Sequence, residues 1–130
     1  MSCSPTLEKL VRNFFRAADL REPETFAQVL TPTVTWRFGN WPTLHGRAAV
    51  AAALTDFFQH AREMEHAIVG IWGTDDVVTV ETRVTYLDAY ARRHTYPGCD
   101  ILFFEGDLIR EVRIFVDNHE MFIPPAPNLA

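Results

Sequence analysis

The chain changes its hydrophobic period near the midpoint, and this change limits the fold more than any other feature. Up to about residue 62, apolar side chains recur at helical spacing. Beyond it they alternate with polar ones in four runs, 66–72, 77–87, 97–104 and 108–117. Turn-forming stretches divide the runs: "GTDD" at 73–76, "DAYARR" at 88–93 and "EGD" at 105–107. Runs joined by short turns predict a meander of antiparallel strands. A sheet with one apolar face has to be covered, and the first half of the chain supplies helices to cover it.

Ser4 is placed to cap a helix over 5–20, with Pro5 at its first position and Leu7, Leu10, Val11 and Phe14 on one stripe. A second, short helix begins near Pro23 and presents Phe26, Val29 and Leu30. "TPTVTWRF" (31–38) reads as a turn and a strand, and "GNWPTLHG" (39–46) as a loop. A third helix over 47–62 carries Val50, Leu54, Phe57, Phe58 and Ala61 on one face. Residues 1–4 and the proline-rich 124–130 are expected to be irregular. With 130 residues and no internal repeat, a single domain over 1–130 is expected.

Twelve basic residues against seventeen acidic ones, with Lys9 the one lysine, argue against a nucleic-acid surface. No apolar run reaches the ~20 residues that a membrane helix needs. The start "MSCSPTLEKL" lacks the basic and apolar regions of a signal peptide. Cys3 and Cys99 are not spaced as metal ligands, and a disulfide between them is not expected, so a cytoplasmic setting is the expectation. His45, His60, His94 and His119 follow no metal-ligand pattern and read as surface residues.

Asp100 breaks the pattern of its run. It heads "DILFF", and an ionised carboxylate among Ile101, Leu102, Phe103 and Phe104 costs several kcal/mol unless it is paired or neutralised. Either the side chain caps a strand end or pairs with an arginine, or its apolar setting serves chemistry.

The element order and the stretches "FAQVLTPTVTWRF", "GNWPTLHGRAAV", "FFQHAREMEHAIVGIW", "VVTVETRVTY", "PGCDILFFEGDLI" and "RIFVD" together resemble the SnoaL-like group of the nuclear transport factor 2-like superfamily, over roughly residues 5–122. The resemblance implies an α+β fold. In it a curved antiparallel sheet wraps around the N-terminal helices as a cone, a cystatin-like α+β barrel with an apolar pocket. Relatives include ketosteroid isomerase, scytalone dehydratase, limonene epoxide hydrolase, polyketide cyclases and binding domains without chemistry, so fold alone does not settle function.

Each branch implies its own candidates. Asp100 falls where ketosteroid isomerase has a carboxylic acid that stays protonated and donates to a substrate carbonyl. Phe14 and Phe38 stand where that enzyme has its tyrosine and its general-base aspartate. Asp19 and His66 match the acid–base pair of the dehydratase branch, in which a carboxylate orients an imidazole for proton abstraction. The alternative for this pair is a helix cap and a solvent-facing histidine. Arg83 matches the epoxide hydrolase arginine, but Thr85 and Ile114 replace its two flanking acids.

Strand 77–87 leaves two orientations open. Val78, Val80, Val84 and Tyr86 lie on one side, Glu81, Arg83 and Thr85 on the other. If the apolar side faces the core, Arg83 faces water. The resemblance implies the reverse: Arg83 lines the pocket and a homodimer covers the Val/Tyr strip on the outer face. It also implies a pocket built from Phe14, Trp36, Phe38, Trp41, Phe57, Thr85, Leu102, Ile114 and Val116. The expected function is a cofactor-free, metal-free acid–base enzyme for a small hydrophobic carbonyl or hydroxyl compound such as a polyketide, terpenoid or steroid. Asp19, His66, Asp100 and Arg83 would be its working groups. The alternative is a binding or assembly module of the same fold with no chemistry.

Overall fold

A computed structural model describes residues 3–127. The irregular ends expected at 1–4 and 124–130 are therefore only partly covered, since 1–2 and 128–130 lie outside the described residues. Helix α1 spans Pro5–Asp19, and the Ser4 hydroxyl accepts a hydrogen bond from the Leu7 amide at 3.1 Å, as the cap predicts. Its buried face is Val11, Phe14, Phe15, Ala17 and Ala18, with Leu7 and Leu10 packed at the margin. Helix α2 spans Pro23–Ala27 and buries Phe26. Strand β1 covers Leu30–Phe38.

The expected loop 39–46 contains a two-residue strand, β2 (Leu44–His45), paired to Thr35 and Trp36 of β1. Helix α3 runs over Arg47–His60. It ends before Ala61, which already belongs to β3 (Ala61–Thr74). Strands β4 (Val77–Asp88), β5 (Arg93–Glu105) and β6 (Leu108–Val116) complete the meander. β3 and β5 both start earlier in the chain than their alternating runs suggest.

The six strands form one curved, open sheet in the order β2-β1-β6-β5-β4-β3. Two details differ from the expected barrel of antiparallel strands. The sheet does not close, because β2 and β3 are its edges, and β1 runs parallel to β6. Parallel neighbours need a long crossover between them. Here everything from β2 to β5 lies between β1 and β6 in the chain.

The orientation of β4 is the opposite of the one the resemblance favoured. Val78, Val80, Val84 and Tyr86 are buried beneath the helices, whereas Arg83 is exposed and Thr85 half-buried on the outer face. Strand geometry forces the choice: successive side chains alternate, so a one-residue slip would exchange four buried apolar groups for Glu81, Arg83 and Thr85. The strip that was to be covered by a second copy is thus covered within one chain. Leu102 is likewise fully buried in the main core and does not reach the cavity described below.

A second correction concerns His94, which is not a surface residue. Its Nε2 lies 2.7 Å from Asp88 Oδ2, with only 10% of its side chain exposed. Asp88 is fully buried and accepts from the Tyr90 amide (2.8 Å), the Arg92 amide (2.9 Å) and Arg92 Nε (2.7 Å). Burial alone would push its carboxyl up, but these donors hold it far below the usual carboxylate range. Arg92 also donates to the Ile123 carbonyl, tying the segment after β6 to the β4–β5 turn. Truncating Asp88 leaves Arg92 and His94 without their acceptor. Asp88→Ala is therefore expected to lose roughly 3–5 kcal/mol in urea unfolding at pH 7. A loss under 1 kcal/mol would mean that the cluster does not hold the turn.

Candidate functional site

The helices and the inner face of the sheet enclose a cavity of about 200 Å³. Of the residues expected to line it, Phe14, Trp36, Phe38, Trp41, Phe57, Ile114 and Val116 do so. Trp41 is 63% exposed and stands at the mouth, with its ring 6.3 Å from that of Phe122. Arg83, Thr85 and Leu102 are not in its wall. No lysine or arginine lines the cavity among the described residues, and its polar side chains are Thr82, Tyr86, His66 and Asp100.

Asp19 and His66 meet. Asp19 is the last residue of α1, and one of its carboxylate oxygens is 2.6 Å from His66 Nδ1. The other accepts the His66 backbone N–H at 2.9 Å. With both oxygens engaged, the carboxylate fixes the imidazole in rotation and draws the ring proton to Nδ1. When the ring is neutral its lone pair is then on Nε2, and His66 forms part of the cavity wall. The Phe15 ring packs on the imidazole at 4.9 Å.

Arg21 holds this junction together. The chain leaves α1 with Arg21 in the left-handed region at φ 56°, which turns its side chain towards α3. There it donates to the Ala61 carbonyl at 2.7 Å and to the Phe58 carbonyl at 2.9 Å, with the guanidinium over the Phe58 ring. The end of α1 is thereby bound to the start of β3, five residues before His66. Nothing in the local sequence signalled this role, because the partners are backbone atoms about forty residues away.

Asp100 sits on the inner face of β5, opposite Val80 on one side and Ile114 on the other. It is 5% exposed. Burial pushes its carboxyl up to about 7, against the opposing pull of the His66 charge. Near neutral pH the group is therefore a proton donor for much of the time, unlike an ordinary aspartate. Among the described residues no arginine lines the cavity beside it, and Arg83 is on the other face. Tyr86 was read from sequence as an outer-face residue, yet it lines the cavity. Burial, and then the charge of Asp100, raise its phenol well above the usual range, so it stays protonated. Thr82, Gly98 and Met64 were also missed. All of them follow from the alternation once β4 is oriented correctly.

Cys99 points away from Asp100, as neighbours on a strand must. Burial and the nearby Asp100 and Glu81 raise its thiol, which makes it a poor nucleophile. Cys3 and Cys99 are both free thiols. No cluster of three His, Cys, Asp or Glu side chains suited to a metal ion occurs among the described residues. No helix among them is long and apolar enough to cross a membrane.

The family model described as the SnoaL-like domain matches residues 11–112. Among curated proteins there is no significant match. Several solved structures share the fold at low identity. An NTF2-like protein of unknown function from Burkholderia pseudomallei superposes with a TM-score of 0.81 at 20% identity, over 92% of this chain and 96% of that one. A putative SnoaL-like polyketide cyclase from Jannaschia sp. gives 0.81 at 16% identity, over 96% and 99%. An LEH-like epoxide hydrolase from M. tuberculosis gives 0.73 at 18% identity, over 88% and 84%.

The buried acid has a thermodynamic signature. A carboxyl raised from 3.8 to about 7 keeps its proton in the folded chain after the unfolded chain has released it. Its contribution is neutral below about pH 4, and stability falls as the pH climbs towards 7 and then levels off. Asp100→Asn cannot ionise. Relative to wild type, the variant is expected to gain on the order of a few kcal/mol between pH 4 and pH 8 in parallel unfolding curves. A stability difference that stays the same at both pH values would show that Asp100 titrates normally.

Proposed function

The chain belongs to the SnoaL-like domain family, and from that premise we propose that its cavity binds a small, largely apolar carbonyl or hydroxyl compound and moves protons on it without a cofactor. One observation carries the reading. An imidazole oriented by a carboxylate and a carboxyl that burial makes hold its proton up to about pH 7 open into the same aromatic cavity. Such a pair is suited to making an enolate: a base takes a proton from carbon beside a carbonyl while an acid stabilises the developing oxyanion. Asp19 orients His66, His66 Nε2 takes the proton, and Asp100 donates to the carbonyl oxygen. Asp100 then takes its proton back from the enol oxygen while His66 returns its own: to another carbon in an isomerisation, to a hydroxyl that leaves as water in a dehydration, or to the oxygen of a second carbonyl that the enol carbon attacks in a ring closure.

The cavity wall supports a neutral ligand. With no lysine or arginine in it among the described residues, a carboxylate or phosphate would be desolvated beside Asp100 with no permanent counter-charge. Opening of an epoxide by the two-aspartate scheme has no support. Ile114 and Thr85 carry no acid, and Arg83 and Thr85 lie on the outer face. The second reading, a binding module with no turnover, draws on Phe14 and Phe38, which place apolar rings in the cavity wall.

A panel of hydroxy-ketones separates the two. Turnover is expected to fall about 10²–10⁴-fold in His66→Ala and in Asp100→Asn. In wild type it should decline as the pH rises through about 7, where Asp100 loses its proton. Ligand binding that raises the melting temperature, with no turnover on the panel, would favour the binding module.

We also propose a homodimer through the outer face of the sheet, the face the sequence suggested, but built from other residues than the Val/Tyr strip, which is buried inside. The outer face exposes Trp72 (45%) and Phe115 (50%), flanked by half-buried Ile101 and Phe103. The pairing Trp72–Thr79–Ile101 and Glu81–Cys99–Phe115 puts these groups in adjacent rows. Light scattering at tens of micromolar is expected to give twice the chain mass for wild type and the single mass for Phe115→Glu. A monomeric wild type would dismiss the dimer.

A further inference from the structure

The strand register places a third polar group between the base and the acid. His66 on β3 pairs with Val84 on β4, Ile68 pairs with Thr82, and Thr82 pairs with Gly98 on β5. Val80 pairs with Asp100. On the inner face, His66, Thr82 and Asp100 therefore occupy three successive strands in three successive rows. They lie on one diagonal with Thr82 at its centre. Each diagonal step in a sheet is about 7–8 Å between backbones, a spacing that inward-pointing side chains on a concave face can close.

Gly98 clears space for the Thr82 hydroxyl. Its backbone is ordinary strand with no positive φ, so conformation does not demand a glycine. Space does. A Cβ at this position would lie 2.9 Å from Thr82 Oγ1 and 3.7 Å from Val116 Cβ. Thr82 and Gly98 are both buried, and both belong to the cavity wall. The missing side chain leaves a notch against the hydroxyl, which has one proton to donate and two lone pairs to accept with.

We propose that Thr82 and Gly98 form a polar subsite that selects ligands carrying a second uncharged oxygen, held midway between the group at Asp100 and the group at His66. This rests on the cavity being the ligand site, but not on catalysis. Thr82 binds and positions; it transfers no proton. A ligand with one oxygen leaves the hydroxyl unsatisfied or wetted in the notch. A ligand whose second oxygen reaches the notch replaces that loss with a hydrogen bond.

The test is binding, measured by titration calorimetry at pH 6 with 1-naphthol, 2-naphthol and the isomeric dihydroxynaphthalenes as probes. In wild type, at least one dihydroxy isomer is expected to bind roughly two- to tenfold tighter than either naphthol, the range of one neutral hydrogen bond. Thr82→Val keeps the shape and removes the hydroxyl. It is expected to erase that preference, bringing the preferred isomer's affinity down to that of the naphthols, and Thr82→Ser is expected to restore it. Gly98→Ala fills the notch and is expected to weaken the preferred isomer more than the naphthols. If Thr82→Val retains the preference, or wild type shows none, the subsite is refuted and the cavity reading stands. If no probe binds wild type even at millimolar concentration, the subsite and the cavity reading fail together.

Discussion

Alternation along a single strand, β4, fixes what every neighbouring element can do. Val78, Val80, Val84 and Tyr86 are buried under the helices, and that choice puts Thr82 inside and Arg83 outside. Because β3 and β5 pair with β4 in register, it also decides that His66 and Asp100 face inward, and that Cys99 and Ile101 face out. The energetic gap between the two orientations is large. Three aliphatic residues and a tyrosine removed from water contribute roughly 1.5–3 kcal/mol each, and burying an arginine without a partner adds a penalty of its own. The cavity residues of three strands are therefore consequences of one hydrophobic choice.

Much of this was legible locally. Ser4 and Pro5 mark the start of α1, and the three turns of the meander fall where Gly, Asp and Ala–Arg stretches put them. The misread parts had signals that were non-local or contradictory. Ala61 to Glu65 are good helix formers that continue the pattern of α3, yet pairing with β4 from Asp88 onward draws them into β3. Arg93 to Tyr96 precede a proline, which hid the first four residues of β5. The parallel β1–β6 contact joins residues about eighty apart and leaves no periodic trace. His94 looked like a surface residue because its partner, Asp88, was visible only as part of a turn. For Arg83 the two signals conflict: similarity to one enzyme's arginine points inward, the plain alternation around it points outward, and the alternation prevails.

Three aspartates show how little residue type says about charge. Asp88 is completely buried, but four donors converge on it and it stays ionised as a structural anchor. Asp19 uses both oxygens on His66, one on the ring and one on the backbone. Asp100 is buried between Val80 and Ile114, where its charged form is disfavoured. The number of donors each carboxylate meets, rather than its depth, separates an anchor, an orienting group and a proton donor.

That contrast bears on how the cavity can tolerate its own chemistry. An enolate formed inside would have the imidazolium just made at His66 as its counter-charge, since no lysine or arginine lines the cavity among the described residues. Proton transfer from Asp100 removes that charge from the substrate but leaves a carboxylate in the same apolar setting, now near a protonated His66. The two charges attract across the cavity, and the imidazolium is in turn held by Asp19. Net charge inside the wall is unchanged by the exchange, since one proton has moved from acid to base through the substrate. A neutral ligand is thus the only class for which every stage of such a cycle avoids an unpaired buried charge.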